Sequence, residues 1–462
     1  MTIFRNLMTA AAPLALCACA LSPPPQRVAA PVPPQWFASP AHNGSLTDLA
    51  SWWQRQGDPL LVQLIDAAQG ASPNVSTARA RIAQSRAERV AAGAALLPSV
   101  DAGASIIRSN QQSALPMGTT SQAAFQAAWE IDLFGGRRAE RRAADERFVG
   151  AQAGWHEARV SVAAEVANQY YALRACGMLL AVADQDAASR ADSARLTQLT
   201  TDAGFQSPAN AALARASAAE GKARATLQRA LCDLDVKALV ALTALPEPEL
   251  RQKLISAVAT PAAPIEISAL PADTLAQRPD VFNAEREVAA ASFDVGSAQS
   301  QRYPRLTLQG SVGAGNLRSG GVNTTIDTWS IGPLALTVPV FDAGARAANV
   351  DAASARYDNA VVTYRAVARQ AVREVEDALV TLHSTAGRSG DAQVALEGYR
   401  YSFRATEDLY KNGLASLLQL EDARRTYLAA EIALVNLQRE RNGAWIALYR
   451  AAGGGWNAAA AN

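Results

Sequence analysis

Two rhythms of hydrophobic and polar positions run through this chain, and each appears twice. Over 99–106 the apolar Val100, Ala102, Ala104 and Ile106 alternate with Ser99, Asp101, Gly103 and Ser105. Over 122–133 the odd positions Ala123, Phe125, Ala127, Trp129, Ile131 and Leu133 are apolar, while Gln122, Gln126, Glu130 and Asp132 are even. A period of two predicts strands with one apolar and one wet face. It returns over 306–314 (Leu306, Leu308, Val312, Ala314) and over 329–340 (Leu334, Leu336, Val338, Val340). The polar stretches 108–121 and 315–328 are expected to be the loops joining each pair.

The second rhythm is helical. Helices are expected over 60–68 and from the Ser72-Pro73 cap to Leu97. After Phe134-Gly135-Gly136 no proline occurs before Pro208, and the residues between are rich in Ala, Arg, Leu and Glu. A helix over 137–203 would be roughly 100 Å long, too long for an ordinary globular domain. Gly204 stops it and Ser207-Pro208 restarts a returning helix over 210–245, which Pro246 and Pro248 close. A connector follows, with one short helix over 250–257. After Pro339 no proline remains, so 344–452 reads as two more long helices broken at Lys411-Asn412-Gly413, with a bend expected at Gly387 and Gly390.

These segments form an internal repeat. Ser72-Pro73-Asn74-Val75 precedes Arg278-Pro279-Asp280-Val281 by 206 positions, and Pro98 precedes Pro304 by the same interval. Asp132-Leu133-Phe134-Gly135-Gly136 is answered by Val340-Phe341-Asp342-Ala343-Gly344. The organisation read from this is a signal segment 1–18, an arm 19–58, a first repeat 59–245, a connector 246–271, a second repeat 272–452 and a tail 453–462.

Composition changes the picture in three places. The 462 residues carry a net charge of only +1, which argues against a nucleic-acid partner. Aromatic residues are scarce and alanine abundant, which suits long helices that approach closely. The start reads as an export signal: Arg5, then a short apolar core over 7–16, too short to span a bilayer. The core ends in Leu16-Cys17-Ala18-Cys19, and residues 20–40 are Pro-rich and extended. An ordinary signal peptide with two incidental cysteines is the alternative.

Four two-faced strands match the pattern of a transmembrane β-barrel, but four cannot close one and an open edge cannot face lipid. Three copies would supply twelve strands and, from four helical arms each, a ring of twelve helices. A soluble four-stranded sheet and a coiled-coil stalk are the competing readings. Cys176 and Cys232 are equidistant from residue 204, so in an antiparallel hairpin they lie level. In an oxidising compartment that spacing predicts a disulfide, against the alternative of two small buried residues. His42, His156 and His383 are far apart and more in keeping with surface positions than with metal ligands. No phosphate loop, nucleophile motif or metal spacing is visible, so no cofactor or metal is expected and the chain is not read as an enzyme.

Further motifs occur in a fixed order: Asp132-Leu133-Phe134-Gly135, Leu275-Ala276-Gln277-Arg278-Pro279-Asp280-Val281, Tyr303-Pro304, Pro339-Val340-Phe341-Asp342, Glu374-Val375-Glu376-Asp377-Ala378-Leu379 and Gly453-Gly454-Gly455-Trp456. In this order the chain resembles the TolC-like outer membrane factors of Gram-negative bacteria, and most closely their OprM-like, NodT-type efflux lipoproteins. That resemblance implies a mainly α fold with a transmembrane β part: a homotrimeric helical barrel continuous with a 12-stranded β-barrel. It implies a passive multidrug-efflux duct in the outer membrane, extending into the periplasm and docked to a periplasmic membrane-fusion adaptor and an inner-membrane pump of the resistance-nodulation-division type. The exit duct of a type I protein secretion system is the alternative within transport. A structural coiled-coil surface lipoprotein is the alternative outside it.

Site residues follow from the same resemblance. Leu16-Cys17-Ala18-Cys19 resembles a lipobox with Cys19 as the acylated, palmitate-bearing residue and Cys17 as the alternative, and Ala20 after it favours sorting to the outer membrane. Gly204, Phe205 and Ser207, with Gly413, Leu414 and Ser416, match the adaptor-docking tips, although Pro208-Ala209 departs from the usual first tip. Leu418, Asp422 and Arg425 match the periplasmic gate, an ordinary solvated pair being the alternative for the two charged residues. Gly135, Gly136 and Gly344 mark the joint between barrel and tunnel.

Overall fold

The computed structural model describes residues 21–31, 33, 36–38, 51–55, 57–110, 117–256 and 278–456. Cys17, Cys19, His42, the signal segment and most of the connector lie outside these residues. The helices are α1 (Trp52–Arg55), α2 (Pro59–Ala71), α3 (Pro73–Ala94), α4 (Gly136–Asp202), α5 (Pro208–Thr243), α6 (Glu247–Ser256), α7 (Pro279–Ser300), α8 (Ala345–Lys411) and α9 (Leu417–Ala451). The strands are β1 (Ser99–Ser109), β2 (Gly118–Ile131), β3 (Arg305–Ser319) and β4 (Val322–Thr337). Helix, strand, strand, long helix, helix occurs twice in this order, and both α4 and α8 contain 67 residues. Helix α8 runs unbroken through Gly387 and Gly390. No described helix is long and apolar enough to cross a membrane.

Two compact units are present, one drawn from 1–31, 79–153 and 282–367, the other from 32–78, 154–281 and 368–462. The first contains the sheet, antiparallel throughout in the order β1-β2-β3-β4. Its register aligns Val100 with Ala127, Phe125 with Val312 and Ala102, and Trp129 with Leu308. Directly opposed residues share a face, so the apolar rows of three strands fall together. On β4 the apolar positions change parity between Ile331 and Leu334, and a bulge restores them: Leu308 pairs with Leu334 and Gly310 with Ile331. Two residues of β4, Gly332, at φ +115°, and Pro333, thus stand opposite the single Gln309 of β3, and both are suited to a bulge.

The second strand pair differs from the sequence expectation. Residues 315–328 are not a loop: β3 and β4 extend through them to a tight turn at Gly320-Gly321, both with positive φ. The polar residues there had masked the strand rhythm. At the other end β4 stops at Thr337, and Val338, Pro339, Val340 and Phe341 lie outside it, as expected where proline removes a ladder donor. Similarly β2 begins at Gly118 and ends at Ile131, before Leu133.

In this unit α3 and α7 brace the start of α4. Arg89 binds Asp145 at 2.6 Å, Arg147 binds Asp294 at 2.5 Å and Arg286 binds Glu146 at 3.0 Å. The extended segment 21–31 is strapped to α7 and α8: Ser22 exchanges two hydrogen bonds with Gln299, Ser292 Oγ donates to Pro24 O at 2.5 Å, and Tyr357 OH donates to Pro25 O at 2.8 Å.

The core of the second unit gathers Trp52, Trp53, Leu61, Leu64, Val166, Tyr170, Leu239, Leu250, Leu382, Ile446 and Leu448. Each large side chain withdrawn from water contributes about 1.5–3 kcal/mol. Asp58 caps α2, accepting from Leu60 N and Leu61 N, and also accepts from Tyr170 OH at 2.5 Å. Trp52 stacks on Tyr449 with ring centroids 4.7 Å apart, joining α1 to α9.

Candidate functional site

The sheet presents a largely exposed apolar face. Trp329 is 77% and Ile331 83% exposed, and Val100, Phe125, Val312, Leu334 and Leu336 are exposed on the same face. The opposite face carries Asp101, Gln122, Gln126, Glu130, Thr307 and Ser311. A soluble protein rarely leaves so large an apolar patch in water. Strands β1 and β4 pair on one side only.

Each strand pair hands over to a long helix through a glycine and an aspartate. Asp132 accepts from Arg137 N at 3.2 Å and Arg138 N at 3.0 Å; Asp342 accepts from Gly344 N at 3.0 Å and Arg346 N at 3.1 Å. Both carboxylates thus occupy the positive end of a helix. Gly135 and Gly344 adopt φ of +80° and +89°. Gly136 has no room for a side chain, since a Cβ there would lie 2.0 Å from Ser300 Oγ.

The two hairpin turns are built alike. Phe205 N donates to Thr200 O and Leu414 N to Leu409 O, both at 2.8 Å, around Gly204 at φ +81° and Gly413 at φ +77°. This six-to-one closure is a Schellman turn, which requires glycine at the left-handed position. Ser207 and Ser416 then cap the next helices, accepting from Asn210 N and Gln419 N at 3.2 Å each. The turns expose Phe205 (84%) and Leu414 (75%).

Leu418, Asp422 and Arg425 share one exposed face of α9, where Asp422 and Arg425 form an ion pair. The opposite face of α9 is buried and carries a network that sequence reasoning missed. Arg424, 1% exposed, binds Glu421 at 2.5 Å and donates to Ser189 and Ser193 Oγ at 3.0 Å each. Arg190 of α4 binds Asp186 at 2.9 Å, Glu421 at 2.6 Å and Ser217 Oγ of α5 at 2.5 Å. Thr197 and Tyr410 share a buried hydroxyl contact of 2.6 Å. Burial outweighs the neighbouring carboxylates and pushes the Arg424 guanidinium down, although an arginine remains charged. Nothing in the sequence distinguishes these residues from solvated charges; only the pairing of α4 with α9, 231 positions apart, joins them.

Cys176 and Cys232 are joined by a disulfide between α4 and α5, with Cα atoms 5.5 Å apart. His156 is half-buried, contrary to the surface position expected for it. It stacks edge-on to Trp155 and lines a cavity of about 340 Å³ with Trp53, Gln69, Arg159 and Tyr449. Burial, then the Arg159 charge, push its imidazole down. No metal-binding cluster occurs among the described residues.

Comparison with known proteins gives one consistent result. The family model "Outer membrane efflux protein" matches residues 64–245 and 270–454. The chain is 31% identical over 465 residues to the solvent efflux pump outer membrane protein SrpC of Pseudomonas putida, covering 96% of this chain and 97% of that one. It is 29% identical over 475 residues to the pyoverdine export outer membrane protein OpmQ of Pseudomonas aeruginosa, covering 98% and 97%. Its fold is similar to the Campylobacter jejuni CmeC outer membrane channel, with a TM-score of 0.85 at 23% identity over 95% of this chain and 96% of that chain.

Proposed function

Because the chain belongs to the outer membrane efflux protein family, we propose that it is the outer-membrane conduit of a tripartite efflux pump, passing small toxic compounds from the periplasm to the outside. The observation that carries this reading is the sheet: four strands with one largely exposed apolar face and two half-paired edges. Lipid satisfies the face, and strands of identical copies satisfy the edges. A homotrimer gives a barrel of twelve strands, an allowed even number, with the internal repeat making each copy two similar wall segments. The arms α4, α5, α8 and α9 of three copies then form the periplasmic tunnel.

The remaining assignments follow. A periplasmic membrane-fusion adaptor docks on the tips at Gly204, Phe205, Ser207, Gly413, Leu414 and Ser416, and an inner-membrane pump of the resistance-nodulation-division type supplies energy and cargo. The exposed Leu418, Asp422 and Arg425 line the constriction, held closed by Arg190, Glu421 and Arg424 behind them. Cys19 carries the lipid. This is supported by Ser22, bound to Gln299 six positions before β3. The names of SrpC and OpmQ, solvent efflux and pyoverdine export, favour small-molecule cargo over secreted protein.

The test is complementation. Cells lacking this chain should accumulate a fluorescent efflux dye, and the wild-type chain should restore its exclusion. Dye accumulation that the chain leaves unchanged, with partners present, counts against the reading.

A further inference from the structure

We propose that the Cys176–Cys232 disulfide is a positioning element for the gate: it fixes the register of α4 against α5, and with it the place of Arg190 against the second hairpin. This rests on the reading of Leu418, Asp422 and Arg425 as the constriction.

The bond lies 28 residues from Gly204 along each arm, about 40 Å from the turn at helical rise. The α4 groups that hydrogen-bond to the second hairpin among the described residues fall between the bond and the turn. Arg190 holds Glu421, Ser189 and Ser193 accept from Arg424, and Thr197 meets Tyr410. Arg190 is also wedged against α5. It donates to Ser217 Oγ, and a Cβ on Gly221 would lie 2.8 Å from its Cδ. Glycine 221 leaves the space that this arginine fills. A slip of α4 along α5 by one residue's rise, about 1.5 Å, would carry Arg190 out of the space over Gly221 and away from Ser217 and Glu421. Asp186, which Arg224 of α5 binds at 3.2 Å, shares the same dependence. Holding this register is what a covalent tie across the two arms does.

The second hairpin has no such tie. The positions 28 residues from Gly413 are Thr385 and Arg441, which cannot be cross-linked. Both cysteines are buried, so reductants do not reach the bond in the folded protein and the tie is permanent rather than switched.

Planar-bilayer recordings of the purified full chain test this. C176A/C232A should raise the resting open probability at least tenfold with unitary conductance unchanged. Adding R190A to that pair should leave it no more open than R190A alone, because both act through one contact; a merely structural bond would give multiplying effects. Should C176A/C232A fail to assemble, the volume-filling C176V/C232V pair takes its place. An open probability within twofold of wild type, or independent effects of the bond and Arg190, overturns the proposal. D422A separates this from the underlying reading: if D422A conducts and the cysteine variants match wild type, the inference fails alone, whereas silence from every variant including D422A removes the gate itself.

Discussion

Arg424→Ala should open the channel. The guanidinium is buried and binds Glu421 at 2.5 Å and Ser189 and Ser193 at 3.0 Å, and it lies over the Phe403 ring at 5.6 Å. Removing one member of a buried ion pair costs about 3–5 kcal/mol, because its partner stays buried and unpaired. Glu421 retains Arg190 at 2.6 Å, so the lower end, about 3 kcal/mol, applies. These bonds tie α9 to α4 in the arrangement we propose to be closed. If opening breaks them, their loss raises the open-to-closed ratio roughly 100-fold, at tenfold per 1.4 kcal/mol. The assay is open probability in a planar bilayer for oligomers of wild-type thermal stability. Arg424→Lys, which keeps the charge and loses the fork, should fall between. Arg373→Ala, removing an exposed pair with Asp377, should change nothing measurable. An Arg424→Ala open probability within threefold of wild type would refute the idea that this network holds the gate.

Three further outcomes are expected. Gly313→Val should strongly reduce assembled protein in the outer membrane, since a Cβ there would lie 2.5 Å from Ala123 O and Ala124 Cβ, while Gly103→Val, with open space around it, should assemble normally; heat-resistant oligomer on a gel reads both. Phe205→Asp with Leu414→Asp should abolish dye efflux while leaving oligomer yield unchanged, because both side chains are exposed on the turns; normal efflux would free the tips of a docking role. Protonated His156 is disfavoured in the folded state, because its imidazole is pushed down. Its contribution to stability is therefore present above the ordinary histidine value near 6.5 and is lost as pH falls through the lowered folded value. His156→Gln should reduce the loss in melting temperature between pH 7.5 and pH 5, and an unchanged slope would dismiss this histidine.

How far the sequence carried depended on what each feature needs. Strand faces, helix stops and the cysteine spacing are local, so Val100, Phe125, Gly204 and Gly413 announced them. The β3–β4 turn was missed because Asn316, Asn323, Thr324 and Thr325 give little contrast between faces, although Gly320-Gly321 was the turn signal. The parity change between Ile331 and Leu334 was hidden for a related reason: period-two reading assumes no bulge, and only Gly332-Pro333 hinted at one. The Arg190–Glu421–Arg424 network left no sequence signal at all. On an Ala-rich helix a buried arginine looks like a solvated one, and which charges meet is decided by packing between arms distant in sequence. Leu418, Asp422 and Arg425 were named by resemblance, and the geometry adds that they share the exposed face of α9.

The central claim is that copies of this chain enclose a gated pore. Single-channel recording of the purified protein, wild type beside Asp422→Ala, tests it most directly. The account predicts rare, brief openings for the wild type and frequent openings of the same large conductance for Asp422→Ala. Stable oligomers in the bilayer that never conduct, with either sequence, would contradict it.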